Sequence, residues 1–201
     1  EVSEVAVTLE AALPEYPRVE MTDDAGLYTF VDNALNANYE LTGSKDVDYL
    51  NGVSTLDLVK IQRHILGLTE LDSPYKLVAA DINADNEVKA SDLTELRKLI
   101  LGVITDLPTN ESWRFVDAGS TMNNAMNPFP FKETIEVKSL GDYNGLDNDF
   151  IAVKIGDVTG NAKVNQLVTT EVRNNNQLTF SVESQLVEKN NEVVVAVTAE
   201  N

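Results

Sequence analysis

The sequence contains no cysteine and a single histidine, His64, so disulfides and thiol chemistry are excluded and few groups suited to acid–base catalysis are present. Basic residues are also scarce, because 15 lysines and arginines stand against 33 acidic residues and give a formal charge of −18. This charge disfavours nucleic acid and anionic lipid as partners and leaves carboxylates free for divalent cations. No segment approaches the roughly eighteen consecutive apolar residues of a membrane-spanning helix. We therefore expect neither nucleic-acid binding nor membrane insertion.

An internal duplication occupies the middle of the chain. The segment 53–68, VSTLDLVKIQRHILGL, recurs 35 residues later at 88–103 as VKASDLTELRKLILGV. The second copy follows DINADNEV, in which oxygen-bearing side chains fall at alternate positions, as in an EF-hand loop. Calcium takes about six to eight oxygen ligands, and one short segment supplies them by coiling around the ion. The ligands predicted at positions one, three, five, seven and twelve of this second loop are Asp81, Asn83, Asp85, the Glu87 carbonyl and Asp92.

The alternative is that DINADNEV is an acidic turn before an ordinary helix, because Asp and Asn are favoured in turns and at helix N-termini. Calcium is favoured by the register of the oxygens, by Val88 at position eight, where EF-hand loops pair, and by the apolar stripe after position twelve. Asn86 stands at position six, where glycine is usual, and asparagine tolerates the left-handed conformation required there. Lys89 at position nine offers no oxygen, so we expect water at that vertex.

The first copy predicts a weaker loop. Leu50 occupies its position five and has no side-chain oxygen, so its affinity for calcium should be lower than that of the second loop. The alternative is that DVDYLNG is a capped turn that keeps the shape of the loop without the ion. The ligands predicted for this first loop are Asp46, Asp48, the Gly52 carbonyl, Ser54 and Asp57.

The paired pattern resembles a type I dockerin, the duplicated calcium-loop module that docks onto a cohesin domain in cellulosomes. The resemblance covers about residues 46–107 and rests on the aspartates above and on the two helices ending ILG and LILG. The run from NGVSTLDLV to SWRFVD is similar to dockerin-like regions in large surface proteins of Bacteroidetes, a context away from cellulose degradation. The resemblance implies Ca2+ as the cofactor. It also implies a set of partner-binding residues: Thr55, Leu56, Gln62, Arg63, Ala90, Ser91, Arg97 and Lys98.

The basic residues of this set also fit the solvated side of an ordinary amphipathic helix. The buried stripes predicted for the two helices are Leu58, Ile61 and Ile65 in the first and Leu93, Leu96 and Ile100 in the second. His64 occupies the position of Leu99 in the second repeat, which favours a partly buried structural role over catalysis. Because calcium explains the acidic residues better than a paired-carboxylate mechanism does, we expect that the chain is not an enzyme.

Residues 1–45 are predicted to form an incomplete β-sandwich segment. EVAVTLEA alternates, and TDDAGLYTFV combines a glycine turn with a predicted strand, Leu27 and Val31 on one face and Tyr28 and Phe30 on the other. The motif TDDAGLYTF resembles the signature of small β-sandwich repeats in bacterial surface proteins, the SdrD B-like and carboxypeptidase-regulatory-like domains.

Residues 108–165 are predicted to form a small β region packed on the calcium module, with SWRFVD, TIEVKSL and NDFIAVKIGDV as strands. We assign its aromatic residues to its core, and a carbohydrate-binding platform of exposed aromatics is the alternative. GDVTGNAKVN resembles the opening of another loop, with Asp157, Thr159 and Asn161 at positions one, three and five. Position twelve would be Val168, which argues against a full third EF-hand.

Residues 166–201 contain two strand candidates, QLTFSVES and NEVVVAVTAEN, which resemble the first strands of a cohesin-like β-sandwich. The predicted fold class is therefore α+β. In this arrangement the paired EF-hand-loop helices of residues 46–107 lie between β-sandwich-type segments.

These observations favour a non-catalytic, calcium-stabilised scaffold or adhesion segment of a larger surface protein or fibre, located extracellularly or at the cell surface. The absence of a signal peptide before the strand-like EVAVTLE favours a processed piece of that protein. The expected partners are β-domains of the same or a neighbouring chain, of cohesin-like type, with homo-oligomers or fibres as further arrangements. The alternative function is a dockerin that binds a cohesin and tethers a carbohydrate-active enzyme. A scaffold should pack the module against its own flanks, whereas a docking module should leave one helix face bare.

Overall fold

The computed structural model describes residues 1–122, 124, 126–138, 148–164, 179–182 and 197–200. The chain divides into two compact units, Glu1–Asn165 and Gln166–Asn201. The first unit contains the helices α1 (Thr55–Ile65), α2 (Pro74–Ala80) and α3 (Ala90–Ile100). Its strands are β1 (Ala6–Glu10), β2 (Arg18–Met21), β3 (Tyr39–Ser44), β4 (Trp113–Asp117), β5 (Thr134–Val137) and β6 (Phe150–Lys154). In the second unit, β7 (Thr179–Val182) pairs antiparallel with β8 (Val197–Glu200), within the two predicted strand runs, and the other residues of those runs are outside the described ones.

An antiparallel sheet forms in the order β2-β1-β3-β5. Val5, Val7 and Leu9 alternate onto its buried face, as the alternating pattern of EVAVTLEA predicts. The edge strand β5 comes from the predicted 108–165 region and pairs with β3, with Ile135 opposite Leu41. The predicted segments 1–45 and 108–165 therefore share one sheet.

The predicted strand at residues 27–31 is absent from the structure. The Asp23 carboxylate accepts hydrogen bonds from the backbone N–H groups of Ala25 and Leu27, both at 2.9 Å, and Gly26 has a φ of 71°. Residues 27–31, which follow this turn, pair with no strand. Tyr28 and Phe30 still pack against the sheet core, so the alternation of the sequence reports which side chains face inward and not a hydrogen-bonded ladder. The strands within residues 1–45 are β1, β2 and β3.

The helices enclose a second core. Ile61 of α1 and Leu96 of α3 are fully buried there, as the predicted apolar stripes require. The remaining stripe residues pack around them and are partly buried: Leu58, Ile65, Leu93 and Ile100. Helix α2 was not predicted from the sequence, and it begins with a proline in its first turn, where the missing N–H costs nothing. It covers one side of the core with Leu77 and Val78.

The β4–β6 pair connects the two cores. Val116 and Val153 pack into the helical core, whereas Trp113 and Phe115 pack into the sheet core and are 3% and 4% exposed. The strands predicted in SWRFVD, TIEVKSL and NDFIAVKIGDV are therefore confirmed as β4, β5 and β6. Since the rings of Trp113 and Phe115 are buried in the sheet core, they cannot form a carbohydrate-binding platform. The α+β prediction is confirmed, because the described residues form three helices and antiparallel sheets.

Candidate metal centre

The second predicted loop is closed by Asp92, in the first turn of α3. Its carboxylate is fully buried and accepts hydrogen bonds through Oδ1 from the backbone N–H groups of Ile82 (2.8 Å) and Asn83 (3.1 Å). Through Oδ2 it accepts one from the N–H of Lys89 at 2.9 Å. The carboxylate at position twelve is thus held against the start of the loop, which brings the two ends of one coil together.

Asp81, at position one, faces the interior of the same coil and is 3% exposed. Its two oxygens accept hydrogen bonds from the N–H groups of Asp85 (3.1 Å) and Asn86 (3.0 Å). Ala84 and Asn86 both have left-handed backbones, with φ of 56° and 66°. Asn86 therefore adopts the conformation that the sequence requires at position six, where asparagine substitutes for glycine.

Burial raises the pKa of the Asp81 and Asp92 carboxyls above the usual value for aspartate, chiefly because desolvation disfavours the charged form. Hydrogen bonds from the backbone N–H groups oppose this shift in both residues. Two buried carboxylates in one coil are the kind of group that a hard divalent ion bound by oxygens would stabilise in the charged form.

The side chain of Lys89, at position nine of the loop, is exposed. Its ammonium is 2.9 Å from carboxylate oxygens of Asp85 and Glu87, and so it does not fill the vertex at position nine. Within the described residues, no three acidic, histidine or cysteine side chains converge as a metal cluster. The remaining oxygens of the loop, including the side chain of Asn83 and the Glu87 carbonyl, are of the type that calcium prefers. The donor types of the second loop are therefore those that calcium prefers, and Asp85 is paired with Lys89 in this structure.

Asp57, the counterpart of Asp92, is also fully buried, but two of its partners are distant in the sequence. Its Oδ1 accepts hydrogen bonds from the N–H groups of Val158 (3.1 Å) and Thr159 (3.0 Å), and its Oδ2 from the N–H of Ser54 (2.9 Å). The Ser54 hydroxyl also donates to Oδ2 at 2.7 Å. The predicted ligand Asp57 therefore contacts Val158 and Thr159, which lie outside the duplicated segments.

Asp46 and Asp48, the ligands predicted at positions one and three of the first loop, lie at the surface. Both are exposed, in contrast to the buried Asp81 of the second loop. Asp46 accepts a hydrogen bond from the Ser112 N–H at 2.8 Å, and so it ties the loop to the start of β4. Asp157 immediately precedes Val158 and Thr159, whose N–H groups donate to Asp57. In the same way, Asp81 immediately precedes the two residues whose N–H groups donate to Oδ1 of Asp92. The sequence analysis noticed Asp157 but assigned it to a separate, incomplete loop.

The predicted partner-binding residues lie at the starts and on the outer faces of α1 and α3. Arg63 donates to the Thr69 hydroxyl at 2.9 Å, and Lys98 pairs with Glu95 at 2.7 Å. Ser91 accepts a hydrogen bond from the Asn83 side chain at 3.2 Å. Ser91 and Lys98 are partly buried, and the exposed members of the set are Thr55, Leu56, Gln62, Arg63, Ala90 and Arg97.

Exposed apolar residues follow both helices at equivalent positions. Leu66 and Leu68 are 61% and 66% exposed after α1, and their counterparts Leu101 and Val103 are each 69% exposed after α3. Single exposed apolar residues are ordinary, but a set repeated with the same spacing in both copies is a candidate binding surface. The sequence analysis missed these residues, although the repeated ILGL and LILGV contain the signal. We call the set Leu66, Leu68, Leu101 and Val103 the apolar pairs.

The duplicated segments and the repeated helices α1 and α3 agree with a comparison with protein families. Residues 44–101 match the Dockerin type I domain. This dockerin region covers 58 of the 201 residues and includes α1, α2, α3 and both predicted loops. Comparisons with curated proteins and with solved structures give no match. The flanking β segments are present in the structure but remain unidentified.

Dockerin type I domains typically bind Ca2+, and dockerin modules are extracellular. The donor set of the second loop agrees with the first of these properties. Within the described part of the chain, no helix has both the length and the apolar character needed to cross a bilayer. His64 of the dockerin region is partly buried and accepts a hydrogen bond from the Leu71 N–H at 3.2 Å. The predicted buried setting of this histidine is confirmed.

Lys154, at the end of β6, is a buried cation beside the dockerin region. It is 5% exposed, and its ammonium donates to the Tyr49 carbonyl at 3.0 Å. Burial lowers the pKa of Lys154 to about 8, although the nearby carboxylates of Asp48, Asp157 and Asp46 oppose this shift. The lysine is therefore more acidic in the folded state than in the unfolded state.

This difference predicts a pH dependence of stability. Between the folded pKa of Lys154 and its unfolded value near 10.4, the unfolded state binds more protons, so the free energy of unfolding rises with pH. Urea denaturation in EDTA should show a gain of about 2 kcal/mol between about pH 7.5 and pH 9.5. Lys154→Met should abolish this slope, and Lys163→Met, at an exposed lysine, should retain it. A slope that survives in Lys154→Met would contradict the assignment.

Proposed function

We propose that this protein docks a cohesin-type β-domain through its dockerin region and that calcium holds the two helices that carry the docking surface. The observation that supports this most directly is the recurrence of the exposed apolar pairs at equivalent positions after α1 and α3. An exposed apolar set bordered by polar residues is typical of a protein-binding surface. The family match of the same region supports a cohesin as the occupant.

Charge supports the same surface. In a chain with a formal charge of −18, Arg63 and Lys98 occupy the same position of the two repeats and Arg97 lies beside Lys98. These cations lie on the helices that precede the apolar pairs. A partner that presents apolar side chains with acidic residues around them would therefore be complementary, and acidic or polar rims favour rapid association.

Both criteria that separate a scaffold from a docking module have a counterpart in the structure. The inner side of the helices packs against Val116 and Val153 of the flanking strands, as a scaffold requires. The outer faces of α1 and α3 carry exposed residues, as a docking module requires. Because the family match implies a cohesin partner, we place docking before the scaffold role that the sequence alone favoured. We further propose that the module acts outside the cell and without catalysis, attaching the protein that contains it to a cohesin-bearing assembly.

The proposal predicts that calorimetry will detect binding to at least one type I cohesin domain from a panel, in the presence of calcium. The double variant Leu66→Asp, Leu101→Asp should weaken that binding by about a hundredfold, since burying a carboxylate in an apolar contact is costly at each site. Val31→Asp provides the matched control, because Val31 is also exposed but lies outside the dockerin region. Binding that is equally strong in the double variant would contradict the docking surface, and absence of binding to the whole panel would contradict the choice of partner.

A further inference from the structure

The carboxylates of Asp57 and Asp92 accept the same pattern of backbone hydrogen bonds. In the second loop, the position-twelve carboxylate accepts from the N–H groups of positions two and three through one oxygen and from position nine through the other. Asp57 accepts from Val158 and Thr159 through one oxygen and from Ser54 through the other. If Asp157 is position one, Val158 and Thr159 are positions two and three. The two halves of this arrangement come from chain segments about a hundred residues apart.

Asp157 also behaves as a position-one residue. It is 7% exposed, and its Oδ2 accepts a hydrogen bond from the N–H of Ala162, the sixth residue, at 2.7 Å. In the second loop, Oδ2 of Asp81 accepts from the sixth residue, Asn86, at 3.0 Å. The other oxygen of Asp157 accepts from the N–H of Gly160 at 2.7 Å. The segment from Asp157 to Ala162 is therefore coiled as the first half of an EF-hand loop.

Side-chain oxygens occupy the alternate positions of this half. Thr159, at position three, places its hydroxyl 2.9 Å from Asp157 Oδ1. Asn161, at position five, is exposed and carries an amide oxygen. The contiguous reading of the first loop has Leu50 at that position, without any oxygen. The segment 157–162 therefore supplies the ligand type that residues 46–50 lack.

The break between the two halves is closed by a pair of hydrogen bonds. Asn51 donates through Nδ2 to the Lys163 carbonyl at 2.7 Å and accepts through Oδ1 from the Lys163 N–H at 2.9 Å. Gly52, the next residue, has a φ of 75° and lies against the other segment. A Cβ at this position would be 2.6 Å from the backbone of Ala162 and 2.7 Å from Asp157 Oδ2. Only glycine allows the two segments to approach this closely.

We propose that the first calcium loop of the dockerin region is discontinuous and binds Ca2+ with ligands from both segments. Asp157, Thr159 and Asn161 supply its first half, and the Gly52 carbonyl and Asp57 supply its second half. This loop contains two carboxylates where the second loop contains three, so its affinity for calcium is the lower of the two. The inference deepens the calcium part of the proposed function and is independent of cohesin recognition, since the ions are counted without any partner.

The test is to count the calcium ions bound by the EDTA-stripped 201-residue chain, by native mass spectrometry and calorimetry. The unmodified chain should bind two ions, Asp157→Ala one, and the matched variant Asp48→Ala two. Retention of both ions by Asp157→Ala, or loss of one in Asp48→Ala, would overturn the proposal in favour of a contiguous loop.

A second pair of variants keeps the test decisive if Asp157→Ala does not fold, because both of its sites are exposed. Asn161→Ala should weaken the lower-affinity site by tenfold or more and leave the other unchanged. Leu50→Asn, which would restore position five of the contiguous loop, should leave both affinities unchanged. A gain of affinity in Leu50→Asn together with no effect of Asn161→Ala would reject the discontinuous loop.

Discussion

Replacement of Asp57 by alanine is expected to lower the free energy of unfolding of the first unit by roughly 3 to 5 kcal/mol. Asp57 is fully buried and accepts hydrogen bonds from the N–H groups of Ser54, Val158 and Thr159. Each buried donor left without an acceptor costs about 1 to 3 kcal/mol. The loss should be large even without calcium, because these bonds join α1 to the segment after β6. Urea denaturation in EDTA, followed by the fluorescence of the buried Trp113, measures it.

Asp48→Ala is the matched control for this experiment, since Asp48 is an exposed aspartate of the predicted first loop. Its effect should stay within about 0.5 kcal/mol, the usual range for surface substitutions. Hydrogen exchange adds a spatial readout. Asp57→Ala should increase exchange at Val158 and Thr159, and it should leave the N–H groups of Ile82 and Asn83 in the second loop protected. An Asp57→Ala variant as stable as the Asp48→Ala control would contradict the role assigned to this carboxylate.

Removal of calcium is expected to have the second large effect. At a hundredfold excess of calcium over the dissociation constant, each occupied site should stabilise the folded state by about 2.7 kcal/mol. The physical reason is the pair of buried carboxylates, Asp81 and Asp92, whose pKa values burial raises. Chelation should lower the melting temperature and increase hydrogen exchange within residues 46–107 and the strands that touch them. An EDTA-stripped sample whose melting temperature does not respond to added calcium would contradict this prediction.

The stability of the protein should depend on pH in opposite directions when the second loop is free of calcium and when it binds calcium. Without calcium, a folded pKa above the unfolded value means that the contribution of these carboxyls to stability is complete at low pH and is lost as the pH rises through the folded pKa. With calcium the trend should reverse, because the ion binds the deprotonated carboxylates. Thermal melts from about pH 4 to pH 7, with calcium or with EDTA, test both directions. Asp92→Asn, which cannot ionise, should flatten its share of both trends.

The coil of the second loop could be predicted from the sequence because its predicted ligands are contiguous. Asp81 and Asp92 lie within one short segment, so the spacing of oxygens along the chain already describes their arrangement around a point. Helices α1 and α3 could be predicted for a similar reason, since Ile61 and Leu96 each belong to an apolar stripe with the period of an α-helix. The failure at residues 27–31 has the complementary cause. Alternation specifies which side chains face inward, but a strand also needs a neighbouring backbone to bond with.

The sequence by itself determined the duplication, the second loop, α1 and α3, and the residues that form the outer surface of both helices, because each depends on neighbours within a few turns of chain. Only the tertiary structure decided that β5 completes the sheet of the N-terminal segment and that Asp57 meets Val158 and Thr159. These contacts join residues about a hundred positions apart, and no local pattern encodes such a distance. The motif at 157–161 was visible in the sequence, but the residue proposed for its position twelve, Asp57, comes about a hundred residues earlier in the chain. Only the hydrogen bonds of the buried Asp57 with Val158 and Thr159 reveal this connection.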